Sequence, residues 1–470
     1  MTMIAAANGD PFALRQALAA VVGTANLGDD AGPDHGAALR VMPASSAEVA
    51  AVIRICRDFG QSIVPEGGHT GLVGGCLSHP GQMVLSLSRM ARIEAIYPSE
   101  RVAVVQAGVA LQALQNAAAD HGLEPGIDLA ARGTATIGGM VSTNAGGIMA
   151  FRYGVMRHRV LGLEAVLPDG SLYSDMTRVV KNTAGYDLKH LFIGAEGTLG
   201  IVTRVVLKLE PVPQSTATVM LGLPSVAAAL EVITTSMGAR TGHLRAAEGL
   251  WQSYLQLTAK AQGWGAPGLP LGQPIYLLLM LGGADQAGLD EEIAQIFAAI
   301  LERYPSATGI IAASKRQEAD LWRLREDTGL LYRAHAAAPS YDVSVPLSEI
   351  DRYVDHVFSG LAQIDGGIAP FVFGHLADGN LHIVLNRPGP LCADISNAVE
   401  QVLYAPLRKL GGSFAAEHGV GAKRVSSLVA TVDPGKLDAM ERVKRAFDPA
   451  TIMNPGKVLP KPPSVSEKTQ

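Results

Sequence analysis

With 470 residues, the chain is long enough for about three domains of roughly 150 residues each. Its composition, 48% hydrophobic and 17% charged residues, is typical of a soluble enzyme with a large core. The formal net charge of -5, without any run of basic residues, argues against nucleic acid or an anionic membrane as the main partner.

The sequence carries no signal for export. The stretch Met1–Asp10 lacks the positive start and long apolar core of a secretory signal. The most apolar windows, such as Ile275–Leu281, are far shorter than the ~20 residues of a membrane span. Cys56, Cys76 and Cys392 form no CxxC motif and no ligand cluster. We therefore expect a cytoplasmic protein without a transmembrane segment, an iron–sulfur centre or a structural zinc knot.

The first part of the chain alternates helices with short strands. Apolar spacing predicts helices at Pro11–Val22 and Ser45–Phe59, and Glu48 near Ser45 is the pattern of a capping box. The elements expected next are strands at Ser62–Pro65, Met83–Ser86 and Val102–Val105 and a helix at Ala110–His121. This mixture is typical of an α+β domain.

A glycine-rich loop follows the strand that ends at Pro65. Five glycines occur between Gly67 and Gly75, which is a strong loop signal. The pattern matches neither the dinucleotide fingerprint G-x-G-x-x-G nor the phosphate loop G-x-x-x-x-G-K-[ST]. A dinucleotide bound here would therefore not be held by a Rossmann fold.

The stretch from Gly133 to Thr203 is rich in small residues. Glycine, alanine, serine and threonine at this density let the main chain lie against a large flat ligand and leave N–H groups to face a phosphate. Glycine-rich turns of a barrel are the alternative, but five such segments in one stretch favour a cofactor site. They are Gly133–Gly139, Ser142–Gly147, Arg152–Gly154, Lys181–Tyr186 and Gly194–Gly200.

Beyond Val212, the pattern predicts a two-layer α+β cap. The expected strands are Thr216–Leu223 and Ile275–Leu281, and the expected helices are Ala227–Thr235, Glu291–Tyr304 and Leu347–Phe358. The tail Lys461–Gln470 is expected to be disordered.

Two histidines flank a predicted hairpin turn. Asp378 and Gly379 lie between two apolar runs, as in a two-residue turn, which would pair His375 directly with His382. Directly opposed side chains share a face, with Cβ atoms about 4.5–5.5 Å apart, so the two imidazoles could bind one metal ion. Core-edge histidines satisfied by hydrogen bonds are the alternative.

The segment Ala415–Gly421 could complete a metal site. Glu417 offers a carboxylate as third ligand, which would leave an open position for water or substrate. Neighbouring side chains of an extended segment point in opposite directions. His418 could therefore face the reacting atom.

These motifs, in this order, resemble the vanillyl-alcohol-oxidase flavoprotein superfamily, and within it the D-2-hydroxyglutarate, D-lactate and glycolate dehydrogenases. The resemblance extends from about Arg40 to Pro460, and its main segments are Pro65–Gly71, Ile137–Gly147, Arg152–Gly154, Lys181–Asp187 and Gly194–Thr203. It implies an α+β fold with a vanillyl-alcohol-oxidase-type FAD-binding domain, an α+β substrate or cap domain, and a C-terminal segment that returns to the FAD domain.

The resemblance also suggests domain boundaries. We expect an N-terminal segment at 1–35, the FAD-binding domain at 36–213 and the substrate or cap domain with the metal site at 214–425. A C-terminal segment that contacts FAD would follow at 426–461, and the disordered tail at 462–470.

The FAD-binding residues are implied in the same way. The glycine loop would hold the phosphates, the small-residue segments would line the isoalloxazine, and Ile201 and Val202 would meet the adenine side. Some superfamily members tether the flavin through a histidine at the position of His69, but we expect a neutral His69 and non-covalent FAD. Asn454 would lie near the flavin, with a plain C-terminal turn as the alternative. The full set is Pro65, Glu66, Gly67, Gly68, His69, Thr70, Gly71, Thr134, Thr136, Gly139, Ser142, Asn144, Ala145, Gly147, Ile201, Val202 and Asn454.

In the resembling dehydrogenases, the residues at the positions of His375, His382 and Glu417 are zinc ligands. We therefore expect Zn2+, although this ligand set also suits Mn2+ or Fe2+. His418 corresponds to the catalytic base, which would take the proton of a metal-held C2 hydroxyl while hydride leaves C2 for flavin N5. Arg325 corresponds to the arginine that holds the substrate C1 carboxylate; a solvated helix charge is the alternative.

Three substrate positions depart from the hydroxyglutarate enzymes. Those enzymes carry a small hydroxyl residue where this chain has Gly329, lysine where it has Ser340, and asparagine where it has Val384. A cation for a distal carboxylate is thus missing. We expect a monocarboxylic or more apolar D-2-hydroxy acid, such as D-lactate, at least as much as D-2-hydroxyglutarate.

The sequence therefore predicts an FAD- and metal-dependent dehydrogenase that oxidises a D-2-hydroxy acid to the 2-oxo acid. Electrons would pass to an external carrier, such as an electron-transfer flavoprotein or a quinone, rather than to oxygen. A metal-dependent hydrolase and a non-catalytic FAD-binding protein are the alternatives. Whether the chain forms a homodimer is left open.

Overall fold

The computed structural model describes residues 10–29, 36–265 and 269–461. The expected disordered tail at 462–470 lies outside these residues, as does part of the expected N-terminal segment. The strands are β1 Leu27–Gly28, β2 Leu39–Val41, β3 Ser62–Glu66, β4 Gln82–Ser86, β5 Ile93–Tyr97, β6 Val102–Gln106, β7 Leu123–Glu124, β8 Val160–Val166, β9 Leu172–Asp175, β10 Ile201–Lys208, β11 Glu210–Pro211, β12 Ser215–Leu223, β13 Gly242–Trp251, β14 Ile275–Gly283, β15 Thr308–Ile311, β16 Ser340–Ser344, β17 Pro370–His375 and β18 Asn380–Leu385.

Helices separate these strands. They are α1 Pro11–Val22, α2 Ser46–Phe59, α3 Leu111–Ala119, α4 Ile137–Thr143, α5 Ala150–Tyr153, α6 Met156–Arg159, α7 Lys189–Phe192, α8 Val226–Met237, α9 Gln252–Ala261, α10 Gln286–Arg303, α11 Lys315–Glu326, α12 Gly329–Ala334, α13 Ile350–Ile364, α14 Ala393–Tyr404, α15 Leu407–Leu410, α16 Val425–Thr431 and α17 Pro434–Phe447. Within the part of the chain that the structure describes, none of them combines the length and the apolar character that crossing a bilayer would require.

Contacts divide the chain into two units. The first contains the residues up to Gly146, Tyr153–Val212 and the residues from Glu417 onward; the second contains Gly147–Arg152 and Pro213–Ala416. The expected FAD-binding domain ended at residue 213 and the expected cap domain at residue 425. In the structure, boundaries between the two units fall after Val212 and after Ala416.

The first unit is built on two larger sheets, and β7 and β11 form a separate two-stranded sheet. One has the order β1-β2-β4-β3, with β4 parallel to both β2 and β3, and the other is antiparallel with the order β5-β6-β10-β8-β9. Helices α1 and α2 cover the first sheet through Leu18, Val52 and Ile53, which are fully buried. The mixture of short strands and helices expected for this domain is confirmed.

Helix α2 begins with the predicted capping box. The Ser45 hydroxyl accepts a hydrogen bond from the backbone N–H of Glu48 at 3.2 Å, and the Glu48 carboxylate accepts one from the backbone N–H of Ala44 at 2.8 Å. The Ser45 hydroxyl thereby satisfies one N–H group that a helix start leaves without an intrahelical partner, whereas the Glu48 carboxylate binds the residue before the N-cap instead of the N-cap itself. The helix ends at Gly60, which adopts a left-handed conformation at φ 66°.

The C-terminal segment returns to the first unit, as expected. Met453 forms a parallel bridge with Ile63 of β3. The backbone N–H of Ile63 donates to the carbonyl of Ile452 at 2.8 Å, and that of Asn454 donates to the carbonyl of Ile63 at 2.8 Å. The segment thus extends the sheet beside the strand that leads into the glycine loop.

The second unit is a seven-stranded antiparallel sheet with the order β15-β12-β14-β13-β17-β18-β16. Helices α8, α10, α13 and α14 pack on one face, and α9, α11 and α12 pack on the other. The expected two-layer cap was therefore wrong, because the sheet is covered on both sides. Strands β13 and β14 are buried along most of their length, and such strands need cover on both faces.

The hairpin of β17 and β18 exists, but its predicted register was wrong. His382 pairs with Phe373 rather than with His375, since four residues, Leu376–Gly379, form the turn. Gly379 has φ +74°, and a Cβ there would collide with the carbonyl oxygen of Val345. The shift is two residues, and side chains of a strand alternate with a period of two. Both histidines therefore keep the same face of the sheet.

Candidate active site

In the first unit, the glycine loop lies directly against the segment that precedes α4. A Cβ on Gly68 would overlap the carbonyl oxygen of Thr134, and one on Gly67 would overlap the hydroxyl of Thr136. The main chains can approach this closely only because both loop residues are glycine. Four of the residues expected to bind the cofactor are thus brought together.

The rim of this loop pair is open. A Cβ on Gly71 or on Gly133 would meet no atom within 4 Å. At the C-terminal segment, the buried side chain of Asn454 donates to the carbonyls of Gly75 and Glu196 at 3.0 and 2.8 Å. Its amide oxygen has no partner among the described residues. A buried acceptor without a donor and a main-chain rim open to a ligand fit the binding of a large cofactor.

Other residues expected to bind the cofactor also make hydrogen bonds or ion pairs within the protein. The Thr136 hydroxyl caps α4 by accepting from the N–H of Gly139 at 3.3 Å. Asn144 ends that helix at φ 54°, and its side chain accepts from the N–H of Arg157 at 2.9 Å. The carboxylate of Glu66 is buried and paired with Arg40. Glu66 could therefore contact a phosphate only through its main chain.

Ile201, Val202 and His69 differ in their surroundings. The side chains of Ile201 and Val202 belong to two hydrophobic cores, so only their backbone could meet an adenine. His69 adopts a left-handed conformation at φ 54°, and its ring Nδ1 lies 3.8 Å from a carboxylate oxygen of Glu66. Gly147, also expected at the cofactor, is grouped with the second unit.

In the second unit, His375 and His382 come together despite the register shift. Their ring centroids are 5.5 Å apart and the rings are nearly perpendicular. A nitrogen atom of the His375 ring and a nitrogen atom of the His382 ring lie within 4.8 Å of each other. This spacing is suitable for two ligands of one metal ion.

A fully buried carboxylate, Glu248, links two of the expected site residues. Its Oε1 lies 2.6 Å from Nδ1 of His375, and its Oε2 accepts a hydrogen bond from Nε of Arg325 at 2.6 Å. Burial alone would raise the pKa of Glu248, but the charges of His375 and Arg325 and their hydrogen bonds outweigh it and hold the pKa below its ordinary value. Glu248 is therefore an ionised carboxylate in the core.

Arg325 is not a solvated helix charge. Its side chain is 9% exposed, and its guanidinium carbon lies 4.9 Å from the ring centroid of Phe373. Its backbone carbonyl accepts a hydrogen bond from the hydroxyl of Tyr254 at 2.9 Å, and the Tyr254 ring stacks on that of Phe373. The alternative raised from the sequence is thus wrong for this residue.

A second buried carboxylate, Asp342, stands beside His382 as its direct partner on β16. Its Oδ1 lies 3.6 Å from Nδ1 of His382 and accepts a hydrogen bond from the amide of Asn380 at 2.8 Å. Its Oδ2 accepts from the backbone N–H of Ala416 at 3.1 Å. Ala416 is the last residue of the second unit, and the expected metal ligand Glu417 and base His418 follow it directly in the chain.

Two of the expected substrate residues lie on the same sheet face. Ser340 pairs directly with Val384, two positions along from the pair of Asp342 and His382. Val384 is buried in the apolar cluster of this face, whereas Ser340 is half-buried. Gly329 begins the short helix α12.

Glu248 and Asp342 were missed by the sequence analysis. Each is the only acidic residue of its strand: β13 reads Gly-His-Leu-Arg-Ala-Ala-Glu-Gly-Leu-Trp, and β16 reads Ser-Tyr-Asp-Val-Ser. A single acidic residue at a core position of a predicted strand is the signal that could have found them.

Known proteins are similar to this chain over most of its length. Over 424 residues, the chain is 36% identical to the D-2-hydroxyglutarate dehydrogenase of Xanthomonas citri pv. viticola, a match that covers 89% of this chain and 88% of that protein. The chain belongs to the FAD-linked D-2-hydroxyacid dehydrogenases. The enzyme is thus an oxidoreductase that oxidises a D-2-hydroxy acid with FAD. Neither the hydrolase nor the non-catalytic binding protein is retained.

Further comparisons agree with the family. The mitochondrial D-2-hydroxyglutarate dehydrogenase of Bos taurus is 33% identical to the enzyme, covering 89% of this chain and 76% of that protein. Residues 37–174 match the FAD binding domain family, and residues 212–458 match the family of FAD linked oxidases, C-terminal domain.

Solved structures confirm the fold. A structure of p-cresol methylhydroxylase with bound substrate superposes with a TM-score of 0.74 at 18% identity, covering 96% of this chain and 97% of that one. The 4-ethylphenol oxidase of Gulosibacter chungangensis gives a TM-score of 0.73 at 19% identity over the same shares of the two chains. The enzyme has the expected vanillyl-alcohol-oxidase-type FAD-binding fold.

The contact between the two loops of the first unit predicts that Gly68→Ala weakens FAD binding. The added Cβ would push the glycine loop away from Thr134, and strain of this kind costs about 1–3 kcal/mol. We expect roughly ten- to a hundredfold weaker FAD binding, measured by titrating the flavin-free protein with FAD. Gly389→Ala is the matched control, because its Cβ meets nothing and Gly389 is not among the residues expected to bind FAD. Equal affinities in the two variants would contradict this account.

Proposed function

We propose that the enzyme is a metal-dependent D-2-hydroxyacid dehydrogenase in which His375, His382 and Glu417 hold a zinc ion. The observation that supports this most is the pair of imidazoles on one sheet face, each beside a buried carboxylate. Glu417 follows the second unit directly in the chain and would supply a carboxylate as the third ligand. Two imidazoles and one carboxylate fit a catalytic zinc site with an open position.

Three roles follow for the residues of the chain. Arg325 binds the C1 carboxylate of the substrate, since a planar guanidinium can donate two parallel hydrogen bonds to a carboxylate. His418 removes the proton of the C2 hydroxyl. When bound, the zinc ion polarises that hydroxyl and FAD accepts the hydride from C2.

The substrate we propose is a D-2-hydroxy acid with one carboxylate. Val384 contributes an apolar side chain and Ser340 a short hydroxyl at the positions where the resembling hydroxyglutarate enzymes have asparagine and lysine. The two residues face each other across β16 and β18 on the side of the sheet that carries His382. A second carboxylate would therefore find no lysine at position 340.

FAD handling is the first test. We propose non-covalent FAD, because Nδ1 of His69 lies 3.8 Å from a carboxylate oxygen of Glu66, a neighbour that can orient the ring within the protein. Acid precipitation should therefore leave a colourless pellet and a yellow supernatant. A yellow pellet would show that FAD is covalently attached.

We also propose that electrons pass to an external carrier rather than to oxygen. The reduced enzyme should be reoxidised faster by a quinone or a dye than by dissolved oxygen. Faster reaction with oxygen would show an oxidase.

Metal removal is the second test. We expect a chelator to abolish anaerobic flavin reduction by the acid without releasing FAD, and added Zn2+ to restore it. His382→Ala should lose both the metal and the reduction, whereas His418→Ala should keep the metal and the yellow colour but lose reduction by about a hundredfold or more. His356→Ala, which replaces an exposed histidine of α13, is the matched control and should behave as wild type. Full activity in the metal-free enzyme would refute the proposal.

Substrate choice is the third test. Ser340→Lys supplies the cation that position 340 lacks, so the ratio of kcat/KM for D-2-hydroxyglutarate over D-lactate should rise roughly tenfold. Ser306→Lys adds the same charge at an exposed loop of the second unit and should leave the ratio unchanged. An unchanged ratio in Ser340→Lys, or a wild-type enzyme that strongly prefers D-2-hydroxyglutarate, would refute the proposed preference.

A further inference from the structure

We propose that Glu248 is a positioning residue that ties the substrate-binding arginine to the metal site. One carboxylate would orient both Arg325 and the metal ligand His375. The inference rests on the proposed function, because it assigns Glu248 a task only if those two residues bind substrate and metal.

The geometry of the three side chains is fixed by the sheet. Glu248 of β13 and His375 of β17 are direct cross-strand partners, so their side chains leave the same face side by side. Oε1 of Glu248 lies 2.6 Å from Nδ1 of His375. Arg325 approaches from α11 and donates its Nε–H to Oε2 at the same distance, 2.6 Å. Each carboxylate oxygen therefore serves one partner.

The contact with Glu248 determines the state of His375. Nδ1 of His375 lies at hydrogen-bonding distance from Oε1 of Glu248, so this contact occupies that nitrogen. Nε2 is then the nitrogen that a metal ion would bind. A carboxylate behind a ligating histidine also fixes the plane of its ring and raises its basicity, and loss of such a partner typically weakens metal binding 10–100-fold.

The contact with Glu248 also fixes the direction of Arg325. The guanidinium is planar, so fixing Nε and packing the group over the Phe373 ring leaves it little freedom to rotate. A guanidinium that is already held in one orientation loses less conformational entropy when it binds a carboxylate. Glu248 would thus set the distance between the metal ion and the C1 carboxylate, although its side chain would contact neither of them.

Sequence and burial argue against a purely local role. Glu248 is fully buried, and a carboxylate at such a position costs stability unless charged partners accompany it. An apolar residue would serve packing alone better, since Ala246 and Leu250 on the same face belong to the apolar cluster. The acid at position 248 has a use only through Arg325 and His375.

The test is Glu248→Gln, which keeps the shape of the side chain and removes its charge. We expect roughly 10–100-fold weaker zinc binding by the full-length, FAD-loaded protein, measured without substrate by competition with a chromophoric chelator. In enzyme saturated with zinc, KM for the D-2-hydroxy acid should rise more than kcat falls, because the arginine contact is shared by ground state and transition state. Glu248→Asp keeps the charge and should lie between wild type and Glu248→Gln in both measurements.

Two comparisons separate the possible outcomes. Glu164→Gln removes a buried carboxylate that pairs with Arg204 in the first unit, and it should leave zinc affinity and KM unchanged. If His375→Ala loses zinc while Glu248→Gln and Glu248→Asp keep wild-type affinity and KM, the positioning role is refuted but the metal site stands. If wild type itself binds no zinc, the proposed function fails, and the positioning role fails with it.

Discussion

The charge of one buried carboxylate constrains the second unit more than any other single interaction. Glu248 has no exposed surface, and an isolated ion there would cost several kcal/mol to remove from water. Arg325 and His375 offset that cost, each through a hydrogen bond of 2.6 Å. Because α11, β13 and β17 supply one residue each, the same two contacts that allow the charge to be buried also hold these three elements in one arrangement. Loss of a partner would leave a buried charge unpaired, which typically costs about 3–5 kcal/mol.

The hairpin shows why a site can be predicted when its register cannot. The turn signal of Asp378 and Gly379 predicted a two-residue loop, yet the chain uses four residues and pairs His382 with Phe373. The choice between these loops depends on Val345, whose carbonyl approaches Gly379, and no local pattern reveals that contact. The prediction that both histidines share one face was correct, because the register differs from the predicted one by an even number of residues.

The loops expected to bind the cofactor could be predicted from the sequence more readily than the buried carboxylates that contact the proposed metal ligands. Glycines such as Gly67 and Gly68 are required wherever two main chains touch, and that requirement is visible in the sequence. Glu248 acts through partners 77 and 127 positions away along the chain. Spacing carries no information about contacts of such sequence separation, so the sequence could reveal only that an acid stands in an apolar strand. Ile201 and Val202, which the resemblance assigns to the adenine side, have their side chains in the core, so only their backbone could take that role.

The buried charges of the second unit favour a cation at the histidines. Among its described residues, the fully or nearly fully buried charged groups are the carboxylates of Glu248 and Asp342 and the guanidinium of Arg325, which leaves one excess negative charge. Glu417 would add another, so a divalent cation would bring this set close to neutral before substrate arrives. A single substrate carboxylate could then be met by Arg325, whose charge Glu248 offsets only in part because His375 shares that carboxylate. A second substrate carboxylate would need a cation of its own, and Ser340 supplies none. The proposed preference for a monocarboxylic acid thus follows from the same charge balance that favours the metal.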